Sequence, residues 1–316
     1  RLVPGCPEPA LTNPYNDGET YLMPMFYSPC GLFYNAGLFA EKEWDVPTNW
    51  EEMWALAETA SADGISLFAY PTTGYFDAFF YGMLATAGGN DFFNRAMRYE
   101  EGIWDTDEAK AVFDVIGELA QNTEPTVPAN ANNDNYTKNQ QLILDNAALF
   151  IPNGTWLPGE MAEAPRADGF EWGFMALPAL EAGGQRYSYT FFEQCWMPAG
   201  AENKDLGKQF IAYLYSDEAA AIFADSSYAG DAAYQPVAGV TDFMSDDAKV
   251  MYGVYDEGAN GVMGNFAPVT VEGVEVNAVF FAPIDSLVTG SKTLDQYVED
   301  IKAASDQLRA ALEAEG

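Results

Sequence analysis

Short apolar segments alternate along this sequence with longer segments that show the apolar period of a helix. Five apolar segments of four to six residues are bounded by Gly, Pro or Asn, as buried strands commonly are: 31–34, 66–70, 147–152, 172–177 and 194–198. Strands that alternate with long helices are typical of an α/β fold. The pattern therefore predicts an α/β protein with a largely parallel sheet.

Capping residues predict where the helices begin. The run Thr48-Asn49-Trp50-Glu51 has the form of a capping box, in which the Thr hydroxyl and the Glu carboxylate accept from free amides at the helix start. Further helices are expected from residues 105–108, from Thr137, from Asn203 and from Thr293. Three of them carry an apolar face: Val112, Phe113, Ile116, Leu119 and Ala120 in the first, Leu206, Phe210, Ile211 and Leu214 in the helix from Asn203, and Leu294, Tyr297, Ile301, Leu308 and Leu312 in the helix from Thr293.

The charge of the chain excludes several classes of partner. Lys and Arg total 14 against 48 Asp and Glu, which makes the formal net charge −34. Such a surface repels phosphate backbones and anionic headgroups, so neither nucleic acid nor a membrane surface is expected as a partner. No apolar run is long enough to span a bilayer.

The absence of histidine limits the chemistry. A chain without histidine cannot form Ser-His-Asp or Cys-His nucleophilic sites or His-ligated zinc and haem sites. No cofactor and no metal is predicted. A glycosidase that uses two carboxylates remains possible, because it needs no histidine.

The three cysteines have no metal-binding spacing. Cys6 and Cys30 could pair in an oxidising compartment, which would leave Cys195 in an apolar strand. Three buried free thiols are the equally weighted alternative.

Many aromatic residues lie in loops that follow predicted strands. Tyr75 and Phe76 follow a turn at 71–74, and Trp156 follows Asn153-Gly154-Thr155. Ligands of α/β sheets bind at the loops beyond the carboxyl ends of strands. Sugars present apolar C–H faces that stack on flat aromatic rings and hydroxyls that need carboxylates and amides. The pattern favours a sugar site, although any single aromatic residue could instead belong to the core.

Several segments, in order, resemble the family 1 extracellular solute-binding proteins of carbohydrate ABC transporters. They are 17–24 (DGETYLMP), 31–35 (GLFYN), 47–52 (PTNWEE), 150–156 (FIPNGTW), 172–178 (WGFMALP) and 214–219 (LYSDEA). The segment 150–161 is most similar to the branch that binds N-acetylglucosamine and chitobiose.

The resemblance implies the type II periplasmic-binding-protein fold, with two lobes joined by hinge crossings. The expected division is 1–27 for the tail of lobe one and the first hinge, 28–196 for lobe two, 197–247 for a return to lobe one, and 248–316 for a return to lobe two with the C-terminal helix. By comparison with the family, lobe one is incomplete in this chain, and roughly 100 residues are expected to precede Arg1.

The same resemblance implies an extracytoplasmic monomer, either a cell-surface lipoprotein or a periplasmic protein. It would capture a neutral sugar or oligosaccharide and deliver it to the permease subunits of an ABC importer, without acting as an enzyme. The alternatives are a carboxylate-dependent glycoside hydrolase and a surface carbohydrate-binding domain with no role in transport.

The resemblance also assigns roles to eight residues of a sugar site. Trp156 is expected to be the main stacking platform. The other expected ligand-binding residues are Tyr75, Phe76 and Phe281 as aromatic walls, Tyr136 at the rim, and Asp77, Asn153 and Glu193 as hydroxyl partners.

Overall fold

The computed structural model describes residues 19–224, 234 and 239–315. In this part of the chain six strands form one sheet. They are β1 (Met23–Asn35), β2 (Ser66–Phe68), β3 (Ala148–Asn153), β4 (Trp172–Met175), β5 (Tyr187–Cys195) and β6 (Asn260–Val262).

Helices pack against this sheet. The described α-helices are α1 (Ala36–Lys42), α2 (Trp50–Ala62), α3 (Phe76–Met97), α4 (Asp107–Gln121), α5 (Val127–Asn130), α6 (Tyr136–Leu144), α7 (Leu157–Glu160), α8 (Lys204–Tyr213), α9 (Asp217–Ala224), α10 (Asp246–Tyr252), α11 (Ile284–Val288) and α12 (Leu294–Glu315). A π-helix covers Asn277–Phe281, and a 3-10 turn at Thr73–Tyr75 leads into α3. Among the described helices, none combines the length and the apolar character that crossing a bilayer would require.

The sheet is mixed, which corrects the expectation of a largely parallel one. β1 runs antiparallel to β3, β4 and β5, whereas only the pairs β2–β3 and β5–β6 are parallel. β1 and β2 follow each other in the chain, but β3 lies between them in the sheet. An alternation of strands and helices does not specify which strands become neighbours, and therefore it did not reveal the direction of β1.

All five predicted strand segments overlap observed strands, but the last one is displaced. The segment predicted at 194–198 overlaps only the end of β5, which starts seven residues earlier, at Tyr187. Ser188 and Thr190 interrupt the apolar run of this strand. Both are buried, and the Ser188 hydroxyl donates to the carbonyl of Cys30 at 2.9 Å. A buried strand can contain such residues where a neighbouring strand satisfies them.

The capping box of α2 is shifted by one residue from its predicted position. Asn49, and not Thr48, caps the helix, and its Oδ1 accepts from the amide of Glu52 at 3.0 Å. The Glu52 carboxylate in turn accepts from the Thr48 amide at 2.7 Å. Glu52 takes the place predicted for Glu51, but its carboxylate accepts from the residue before the N-cap and not from the N-cap amide of a standard capping box.

Two of the predicted apolar faces, those of α4 and α8, differ in their environment. The five residues of the α4 face are all buried, and the Thr106 hydroxyl caps this helix. On α8, Leu214 at the helix end is buried, but Leu206 and Phe210 are 65% and 61% exposed. The described part of the chain therefore does not cover the apolar face of α8.

Of the cysteines, Cys30 is buried in β1 and Cys195 is half-buried at the end of β5. Cys6 lies outside the described residues, and so does the predicted pairing of Cys6 with Cys30.

Candidate functional site

A cavity of about 430 Å³ lies where three parts of the chain meet. They are the turn after β2, the end of β3 and the middle of β5, which contribute Tyr75, Asn153 and Phe191 among the lining residues. β2 and β3 are parallel neighbours, so their carboxyl ends lie at the same edge of the sheet. This is the position at which α/β sheets bind ligands.

Buried polar side chains hold the two loops that line the cavity. The Asn139 side-chain amide donates to the carbonyls of Tyr70 and Pro71, at 3.0 and 3.3 Å, and so fixes the turn after β2. The Ser28 hydroxyl accepts from the Thr155 amide at 3.2 Å and lies 2.8 Å from the Thr155 hydroxyl. These contacts attach one loop to α6, which carries Asn139, and the other to β1, which carries Ser28.

Asn153 ends β3 with a donor that the described residues leave unsatisfied. Its side chain is 2% exposed, and its Oδ1 accepts from the amide of Gly154 at 2.9 Å. Its Nδ2 has no hydrogen-bond partner among the described residues. An unsatisfied buried donor costs about 1–3 kcal/mol. Because Asn153 lines the cavity, a ligand oxygen is the natural acceptor for this group.

Trp156 forms an aromatic wall together with Phe191 and Tyr75. Its ring centroid lies 5.9 Å from that of Phe191 in an edge-on arrangement and 6.0 Å from that of Tyr75. The indole packs directly over Gly154, where a Cβ atom would come within 2.2 Å of the ring. A residue with a side chain at position 154 would therefore displace the wall.

We expect Gly154→Ala to lower the free energy of unfolding by about 1–3 kcal/mol, the usual cost of overpacking. Gly159→Ala is the matched control in the same loop region, because a Cβ atom there meets nothing within 4 Å. Urea denaturation of both variants measures the difference. Equal stability of the two variants would contradict the observed packing of the Trp156 ring over Gly154.

Asp77 places a carboxyl group in the cavity wall. It is the second residue of α3, and its Oδ1 accepts from the amide of Ala78 at 2.5 Å. Burial raises the pKa of this carboxyl to about 6, and the hydrogen bond from Ala78 opposes the shift only in part. Burial, and after it the nearby Asp77, raises the pKa of the Cys30 thiol to about 12. No Lys or Arg is among the described residues that line the cavity.

Four of the eight predicted site residues lie together in this cavity: Tyr75, Asp77, Asn153 and Trp156. Phe76 and Phe281 do not, and here the prediction is corrected. Phe76 is 0% exposed and stacks on Phe79 at 5.2 Å, while Phe281 is buried against Phe80 and Tyr81. The turn into α3 directs Tyr75 to the cavity and the next residue to the core.

The other two predicted residues lie outside the cavity lining. Tyr136 is half-buried at the start of α6, and Glu193 is exposed on β5.

Sequence reasoning missed several lining residues, among them Tyr189, Phe191 and Asn265. Strand alternation in β5 places Tyr189 and Phe191 on one face, so a correct position for this strand would have suggested both. Asn265 comes from a distant loop, where its Oδ1 accepts from the Tyr189 hydroxyl at 3.2 Å. No local pattern points to Asn265.

Comparison with known families identifies the group of proteins to which this chain belongs. Residues 8–251 match the family model described as bacterial extracellular solute-binding protein. The chain is a member of that family. The resemblance of the ordered sequence motifs is thereby confirmed.

One curated relative of this solute-binding protein is the diacetylchitobiose binding protein NgcE of Streptomyces coelicolor. The two are 25% identical over 236 residues, which cover 72% of this chain and 49% of NgcE. The chain therefore spans about half the length of the curated relative that it matches.

Solved structures of sugar-binding proteins share the fold of this solute-binding protein. A structure of RafE in complex with raffinose superposes with a TM-score of 0.71 at 18% identity, covering 98% of this chain and 77% of RafE. A chitin oligosaccharide binding protein gives a TM-score of 0.69 at 18% identity, covering 94% of this chain and 73% of that protein. The fold is that of the type II periplasmic sugar-binding proteins.

Proposed function

We propose that this solute-binding protein captures a sugar or a short oligosaccharide in the cavity beside β3 and passes it to an ABC importer. The observation that carries the proposal is the composition of the cavity wall. Aromatic faces at Trp156, Tyr75 and Phe191 suit the apolar face of a sugar ring, while Asn153 offers a donor and Asp77 an acceptor for hydroxyls. Aromatic walls with a few fixed polar groups are typical of small-molecule sites.

The size of the cavity and the relatives favour a neutral ligand of few rings. A volume of about 430 Å³ lies in the lower part of the range for small-molecule sites. The named relatives bind diacetylchitobiose, raffinose and chitin oligosaccharide. Diacetylchitobiose is therefore the first ligand to test.

Capture would proceed by closure of two lobes over the sugar. On this proposal residues 28–196 and 248–316 form one lobe, while 1–27 and 197–247 belong to the other. Contacts with both lobes favour the closed state, and the hinge absorbs the rotation. The protein would act outside the cytoplasm as a monomer, and the permease subunits would recognise its closed form.

A hydrolytic role is disfavoured by the carboxyl groups of the cavity. Glycosidases that depend on carboxylates need two carboxyl groups, about 5–9.5 Å apart, on either side of the scissile bond. Among the described residues that line this cavity, Asp77 is the single acid. We therefore propose a binding protein and not an enzyme.

Thermal unfolding in the presence of sugars tests the proposed function. A ligand at a hundredfold excess over its Kd adds about 2.7 kcal/mol of stability, which corresponds to several degrees in Tm. We expect at least one of diacetylchitobiose, raffinose, maltose and galactose to produce such a shift, with the sugar recovered unchanged. Absence of any shift at 10 mM sugar (roughly a hundredfold above a 100 μM Kd), or hydrolysis of the sugar, would contradict the proposal.

A further inference from the structure

The carboxyl group of Asp77 lines the cavity with no counterion among the described residues. One of its oxygens accepts from the backbone amide of Ala78, and no second hydrogen bond to it is formed by the described residues. The described lining contains no Lys or Arg. A carboxylate accepts several hydrogen bonds, so most of its capacity is left for a ligand.

Among the described residues, four titratable groups interact electrostatically with Asp77, and they lie on β1, β5, α3 and the turn before α3. They are the thiol of Cys30 on β1, the hydroxyl of Tyr189 on β5, the hydroxyl of Tyr81 one turn further along α3, and the hydroxyl of Tyr75 in the preceding turn. Burial raises the pKa of all four, so they are neutral in mildly acidic and neutral solution. Glu160 on α7 faces the Tyr75 hydroxyl and accepts from the Gln140 side chain at 2.7 Å.

Among the described residues that line the cavity, Asp77 is therefore the one group that changes charge near neutral pH. With a pKa of about 6, its carboxyl is protonated in part of the unliganded protein at pH 6. A sugar hydroxyl that donates to Asp77 needs the ionised form, because a carboxylate is a stronger acceptor than a carboxylic acid. Asn153 supplies the complementary donor, so the ligand does not need Asp77 to donate a proton.

We propose that Asp77 accepts hydrogen bonds from sugar hydroxyls in its ionised form, and that sugar capture consequently releases a proton from the Asp77 side chain. This inference rests on the proposed function. The opposite arrangement, a protonated Asp77 that donates to a sugar oxygen, would make capture take up a proton. The direction of proton exchange thus reports which form of Asp77 holds the ligand.

Titration calorimetry at pH 6 in two buffers of different ionisation enthalpy measures the exchange directly. The probe is the sugar among diacetylchitobiose, raffinose, maltose and galactose that raises Tm most. We expect proton release, and an affinity that falls roughly tenfold between pH 7 and pH 5, as linkage to a group with a pKa of about 6 requires.

Two variants test whether Asp77 is the residue responsible for the pH dependence of sugar binding. Asp77→Asn should bind more weakly at pH 7 and lose the pH dependence between 5 and 7. Asp91→Asn, which alters an exposed acid on the same helix, should retain both the affinity and its pH dependence. Binding with proton uptake, binding with no proton exchange, or an unchanged pH profile in Asp77→Asn would overturn this inference but not the proposed function. Absence of sugar binding at pH 7.5 would instead overturn the proposed function, and this inference with it.

Discussion

Trp156→Ala is expected to reduce sugar affinity by tenfold or more while the protein still folds. Stacking on an aromatic side chain contributes about 1–3 kcal/mol, by analogy with nucleic-acid bases. The Trp156 ring lies at the cavity and is only half-buried, so its removal should cost less stability than the 3–5 kcal/mol typical of a core tryptophan. Titration calorimetry measures the affinity, and urea denaturation measures the stability.

Trp54→Ala provides the matched control for this prediction. Trp54 is also half-buried and packs against another aromatic ring, Trp50 at 5.0 Å, but it does not line the cavity. We expect this variant to bind the sugar with unchanged affinity. If Trp156→Ala instead lost several kcal/mol of stability and bound the sugar normally, Trp156 would be a core residue.

Asp77→Asn is expected to stabilise the protein above pH 7, although the same variant is expected to bind the sugar more weakly. The folded state raises the pKa of Asp77 from 3.8 to about 6, so it holds this proton more tightly than the unfolded chain. The resulting stability is fully present below pH 3.8 and is lost as the pH rises through about 6. Above that range the ionised carboxylate costs on the order of 2–3 kcal/mol, which an uncharged asparagine avoids.

The measurement is the free energy of unfolding of wild type and Asp77→Asn at pH 4 and pH 8. We expect the variant to be the more stable protein at pH 8 and the advantage to shrink towards pH 4. A constant difference at both values would mean that the carboxyl does not titrate in this window. Asp91→Asn should follow the wild type, because its carboxylate is exposed. A gain in stability with a loss of binding is common where a site retains an unfavourable group for its function.

Local patterns in the sequence were sufficient to predict the features that depend on residues close together in the chain. The α4 face was predicted from its period, and the end of β3 from its apolar run and the turn after it. Trp156, in the loop after the same strand, was predicted to lie at a ligand site, and the structure places it in the cavity wall. The ordered motifs identified the family, because they extend over most of the chain.

The tertiary structure alone decided which distant segments meet. The antiparallel direction of β1 depends on its pairing with strands more than 100 residues later. The cavity brings Asn153 together with Phe191 and Asn265. The period of α8 predicts its apolar face, but it does not predict that this face is exposed. The period of apolar residues in a segment predicts which of its faces is apolar. Which other segment packs against that face depends on the packing of the whole chain, and the local pattern does not predict it.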